Sequence, residues 1–318
     1  MGHVHLIMKI AYLISAYCDP QQFWRMISVL YDIDTDFYVH IDKKVNASTF
    51  INDKLKEKYP NVVFIEQRFL VHWGGYNQVR YQQALFSEMI KSGKKYDRVF
   101  LLSGQDYPLM NKDEIKSFLR DNPQKEFIRA IQVTPHTKPE HFCNKITVFH
   151  FFRDLAVNSI LVRRAFSGIS RYIMTILPFR KKCYIIVDGK KWQVYQSSSY
   201  MCLTYKCVAY VLKEMTSNKR VMKYFQTSYV PEELVIPTII MNSPYRANAE
   251  ELKGDYKGLK ALSTITYFNY GKQIQVFKLE NYQELKDSNM MFARKMSSII
   301  SDSLMDQIDY ENGSKKRK

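Results

Sequence analysis

The chain has 318 residues, 46% of them hydrophobic and only 11 of them Gly, which gives core enough for one large or two modest globular domains. Low-complexity disorder and a transmembrane composition are both excluded. Its 47 Lys and Arg outnumber 31 Asp and Glu, a formal charge of +16 that favours an anionic partner such as nucleic acid, a phosphorylated sugar donor or an acidic membrane.

Residues 1–8 read as an N-terminal extension, because the apolar run there is short and lacks both a basic leader and a small-residue cleavage site. KIAYLISAY (9–17) reads as a buried strand, and Asp19-Pro20 opens a helix over 19–32. DFYVHIDKK (36–44) and VVFIEQ are the next strands, GYNQVRYQQALFSEMIKSG is a helix, and RVFLLSGQDYPL is the fourth strand. This alternation predicts an α/β fold with a mostly parallel central sheet flanked by helices, and ligand-binding loops at 42–44, 72–75 and 103–108 converging at the strand ends.

Residues 153–182 read as helical, with basic residues among large aliphatics; they either rest on a membrane or pack as an amphipathic pair. YIIVDGKKWQVYQSSSYMCLT returns to strand character with a hairpin signal at Asp188-Gly189, 200–226 reads as helix, and 262–296 carries strands and a terminal helix. One catalytic domain over 9–300 with a polar, basic tail at 301–318 is the simplest division. The cations are spread along the chain, apart from local groups at 163–182 and in KKRK, which does not match the clustered pattern of a nucleic-acid binder.

FYVHIDKK, VHWGGYNQVRYQQALF, LLSGQDYPL, SSSYMCLT, VPEELVIPTII and MMFARKM, in this order, resemble the core 2 and I-branching β-1,6-N-acetylglucosaminyltransferases and the related peptide O-xylosyltransferases. The likeness runs from about residue 9 to about 297. It implies a GT-A-like glycosyltransferase fold, a UDP-sugar donor, inversion at the anomeric carbon and no required metal or other cofactor.

Residue by residue, the resemblance implies Glu233 of PEE as catalytic base, beside Glu232 where the family has Asp. Arg294, Lys295 and Lys272 become the cations that meet the departing diphosphate. Asp42 becomes a uridine contact, Trp73 and Gly74 a flat surface beside an approachable backbone, and Ser198, Ser199 and Tyr200 neighbours of the donor sugar. His40 and His72 read as structural histidines, and Trp192 as either core or acceptor platform.

A metal-dependent enzyme of this fold places Asp-x-Asp after the fourth strand, because a hard divalent ion wants several carboxylate oxygens. This chain has Asp106 alone there, which reads as a donor-positioning residue, and DIDTD (32–36) reads as a solvated turn. Five cysteines in an odd, unpaired pattern indicate reduced thiols and a cytoplasmic protein, which with no signal anchor or stem points to a bacterial member building surface polysaccharide. The expected partners are a UDP-sugar, a glycan, lipid-linked oligosaccharide or protein acceptor, no nucleic acid, and an anionic membrane at the inner face of the cell membrane. The alternative is a basic nucleic-acid- or membrane-binding module with a decayed transferase site.

Overall fold

Strand β1 (Ile10–Ala16) passes through α1 (Pro20–Leu30) to β2 (Thr35–Ile41), then α2 (Asp53–Lys58), β3 (Val62–Phe64), α3 (Asn77–Lys91) and β4 (Arg98–Ser103) in the computed structural model. The structure describes residues 8–157, 159–271 and 273–313. After β5 (Asp106–Pro108), α4 (Lys112–Arg120) and β6 (Arg129–Gln132) come α5 (Glu140–Thr147) and α6 (Ile160–Ile176). Next are β7 (Tyr184–Val187), β8 (Lys190–Gln193), β9 (Tyr195–Ser197), β10 (Met201–Thr204), α7 (Tyr205–Ser217), α8 (Lys219–Phe225) and α9 (Val235–Met241). The chain finishes with β11 (Glu250–Leu252), β12 (Thr266–Tyr267), α10 (Tyr282–Asp287), β13 (Phe292–Arg294) and α11 (Asp302–Glu311).

The main sheet runs β3-β2-β1-β4-β10, with the first four strands parallel and β10 antiparallel at the edge. Its central strands are apolar runs rather than alternating ones because helices cover both faces. Val79, Phe86 and Val208 of α3 and α7 pack on one side, and Phe23, Ile27, Leu304 and Met305 of α1 and α11 on the other. Among the polar residues buried in these strands is Arg98, whose guanidinium donates to the carbonyls of Lys125 and Asn122. The α/β class with a parallel-dominated sheet is as expected.

A second, three-stranded sheet sets β13 between β12 and β5, with Arg294 directly opposite Asp106. Asp188 and Gly189 both take positive φ (47° and 76°) in the turn between β7 and β8, matching the hairpin signal.

Four expectations are corrected. The helix expected from 200 starts only at Tyr205, because 201–204 pair with β4 as the strand character of SSSYMCLT implies, and Thr204 caps α7 by accepting from the Cys207 N–H at 3.2 Å. Residues expected as polar tail contain α11, whose Leu304, Met305 and Ile308 are buried. Three of its carboxylates, Asp302, Asp306 and Asp309, grip Arg25 of α1 at 2.7–2.8 Å. DIDTD is no solvated turn throughout: Asp36 lies in β2, buried and bonded to Lys94 and Tyr96, while Asp32 pairs with Lys116. The basic helix spans 160–176 rather than 153–182, because Arg153 and Asp154 bond to the 72–77 loop instead. Residues 1–7, Lys272 and the KKRK segment lie outside the described residues.

Candidate active site

The carboxyl ends of β1 and β2 open onto a cleft of about 700 Å³, where Asp42, Trp73, Ser199, Glu233, Arg294 and Lys295 meet in the walls.

Asp42 forms part of the floor. Its N–H donates to the Ala16 carbonyl at 2.9 Å, which splices the ends of the two strands. Its carboxylate accepts from the N–H groups of Lys44 (2.9 Å) and Val71 (3.3 Å), with the Lys44 ammonium 3.3 Å away. His40, two residues earlier, is fully buried; its Nε2 accepts from the Phe69 N–H at 3.0 Å. Burial pushes its pKa down to about 4, so it stays neutral and serves the framework. His72 is also buried.

The cations come from β13. Arg294 is buried, its Nη1 3.1 Å from Asp106 Oδ1 and its guanidinium 4.9 Å from the Tyr200 ring. Burial opposes its charge, but Tyr200 and Asp106 more than offset that and hold its pKa above the ordinary value. Its Nε has no hydrogen-bond partner, so donor capacity remains for an incoming anion. Lys295 is half-buried, and burial followed by repulsion from Arg294 lowers its pKa. Two adjacent cations, one with an unmatched charge, form a receptor for a multiply charged anion.

The acids sit on a 3₁₀ turn, Pro231–Glu233, entered through Val230 at φ 43°. Gln196 Nε2 donates to Glu233 Oε2 at 2.6 Å, and Gln78 Nε2 donates to Glu232 Oε1 at 2.5 Å. Glu232 is 4% exposed, and its Oε2 has no partner. Burial, then the charge of Glu233, pushes its pKa well above the carboxylate range. A carboxyl pushed up in this way keeps its proton on Glu232. Both border the cleft, and Glu233 is the more accessible.

On the rim, Trp73 meets Tyr229 edge-on at 5.3 Å, and the Arg153 guanidinium lies over both rings, 5.6 and 5.0 Å from their centres. Arg153 Nη2 also donates to the Trp73 carbonyl at 3.0 Å.

Not every anticipated residue reaches the cleft. Gly74, at φ 67°, borders a neighbouring cavity of about 300 Å³ with His150, Arg153 and Asp154. Ser198 is buried beneath the wall, and Asp106 is fully buried, one oxygen on Arg294 and the other accepting from the Ser103 N–H at 2.8 Å. Asp106 therefore acts on the site through Arg294. Trp192 packs against the core on β8. Lys272 lies outside the described residues.

Tyr200, expected beside the donor sugar, lines the cleft, whereas Gln78, Gln196 and Arg153 were not anticipated. The two glutamines stand inside or beside the quoted motifs, but an amide has no assignable role until the acid it meets is located. Arg153 was absorbed into the basic segment.

A family model for "Core-2/I-Branching enzyme" matches residues 10–251. Xylosyltransferase 2 of Mus musculus is 22% identical over 314 residues, covering 95% of this chain and 33% of that protein. Xylosyltransferase oxt of Drosophila pseudoobscura pseudoobscura is 23% identical over 226 residues, covering 70% and 23%. The chain thus spans a third or less of these relatives' lengths. The crystal structure of mouse xyloside xylosyltransferase 1, apo form, covers 77% of this chain and 85% of that one at 12% identity, with a TM-score of 0.31, too low to bear on fold.

Proposed function

The chain belongs to the core-2/I-branching enzyme family, and from that premise we propose that it is an inverting, metal-independent glycosyltransferase of GT-A-like fold. It moves GlcNAc or xylose from a UDP-sugar to a hydroxyl of a glycan or protein. The reading extends to a cytoplasmic role in surface polysaccharide synthesis, which the five free cysteines support.

The observation that carries it is the convergence of Glu233 and the Arg294-Lys295 pair in one cleft. Glu233, aimed by Gln196, takes the proton of the acceptor hydroxyl as that oxygen bonds to the anomeric carbon. The bond from that carbon to the diphosphate breaks, and UDP leaves with its added charge facing Arg294 and Lys295. Asp42 and Trp73 supply polar and flat apolar contacts for the nucleoside. Metal independence is supported by Asp106: both of its oxygens are engaged and it is fully buried, so it offers a divalent ion no open ligand.

Glu233→Gln is expected to lower sugar transfer by about 10²–10⁴-fold while UDP still raises the melting temperature, and wild-type turnover is expected to be unchanged in EDTA. Full turnover by the variant overturns the assignment of the base. A strict manganese requirement overturns metal independence.

A further inference from the structure

We propose that α6 is a docking face for an anionic lipid bilayer, seated beside the mouth of the cleft. The helix is well formed, with Ser159 Oγ accepting from the Val162 N–H at 3.3 Å. Val162, Phe166, Ile169, Ile173 and Ile176 recur every three or four residues, so they share one stripe, and each is 41–66% exposed. Tyr172 widens the stripe at 69% exposure. Its inward side is marked by buried Ser170 and half-buried Met174, roughly a quarter to a third of a turn round the helix from the middle of the stripe. No residue of α6 belongs to the buried hydrophobic core among the described residues. An apolar stripe of this length, left outside the core, marks a partner surface.

Charge selects the partner. Residues 155–187 contain six Lys and Arg and no Asp or Glu. Arg164, Arg171, Arg180 and Lys182 are exposed on or just beyond the helix. An apolar stripe bordered by cations, with a tyrosine at its margin, matches the boundary between anionic headgroups and acyl chains. A second copy of the chain would bring a second set of these cations against the first. No described helix is long and apolar enough to cross a membrane, so the contact is peripheral.

Position links this face to the cleft. The Phe166 ring lies 6.2 Å from Phe152, and Arg153, the next residue, covers Trp73 and Tyr229 on the cleft rim. A bilayer under α6 therefore lies next to the opening through which an acceptor enters.

The test is flotation of the full chain with vesicles of phosphatidylcholine alone or mixed with phosphatidylglycerol, with UDP-induced thermal stabilisation measured in parallel. Co-flotation is expected only with the anionic vesicles. Arg164→Gln combined with Arg171→Gln is expected to weaken it about thirtyfold, from about fivefold per lost charge at the headgroup surface. Ile169→Asp combined with Ile173→Asp is expected to abolish flotation and leave UDP stabilisation unchanged. Protein that stays at the bottom of the gradient with anionic vesicles overturns the proposal. So does a dimer in sedimentation that the Asp pair dissociates, because a second copy then covers the stripe. The two readouts fail separately: flotation without UDP stabilisation counts against the donor reading and not against the docking face.

Discussion

Glu232 and Glu233 show how one turn separates two identical functional groups. Each accepts from a glutamine amide, yet one is buried with an unpartnered oxygen and the other borders open space. A carboxyl kept protonated resembles an amide in shape and charge, so Glu232→Gln is expected to keep transfer within about threefold of wild type. Removing the charge at position 233 costs at least about a hundredfold. Comparing kcat of the two variants checks the assignment, and the opposite ranking exchanges their roles. Arg294 offers no such freedom. Asp106 is buried against it, and losing either partner strands a charge, which costs about 3–5 kcal/mol.

Among the elements, the loop between β3 and α3 is built around glycine. A Cβ on Gly75 falls 2.0 Å from Asp154 Oδ1, and Asp154 Oδ2 accepts from the Asn77 N–H at the start of α3. Gly75→Ala must therefore displace Asp154, and a loss of about 1–3 kcal/mol in urea unfolding is expected. Gly168→Ala, in the exposed middle of α6 with nothing within 4 Å, is expected to gain up to about 1 kcal/mol from helix propensity. The same contrast explains what the sequence shows at this scale. β1, β2 and β4 are legible because strands buried on both faces are continuous apolar runs. α11 was hidden by its acids, whose partner Arg25 stands 277–284 residues away. Motifs in register brought Asp42, Glu233, Arg294 and Lys295 to one cleft, whereas Arg153 and the two glutamines needed the fold to bring their partners near.

For the whole molecule, His40 makes stability depend on acidity. Its pKa is about 4 in the fold against an ordinary 6.5, so between these values the unfolded chain binds a proton that the folded chain does not. Stability from this group is present above 6.5 and is lost as pH falls toward 4, by roughly 3 kcal/mol at most. Asp106 and Glu232 act in the opposite sense, since burial raises both. The informative quantity is thus the difference between wild type and His40→Gln. Urea unfolding of the wild type is expected to weaken from pH 6.5 to 4 more steeply than that of the variant, and parallel profiles contradict the assignment. Because His40 holds Phe69, acid loosens first the loop that also steadies Asp42.

The placement of β13 against β5 bears on biosynthesis. Asp106 leaves the ribosome 188 residues before Arg294. Until β13 threads in beside β5, Asp106 stands without Arg294 and the cleft lacks the wall that carries both cations. Assembly of that wall therefore waits on residues synthesised long after the central sheet.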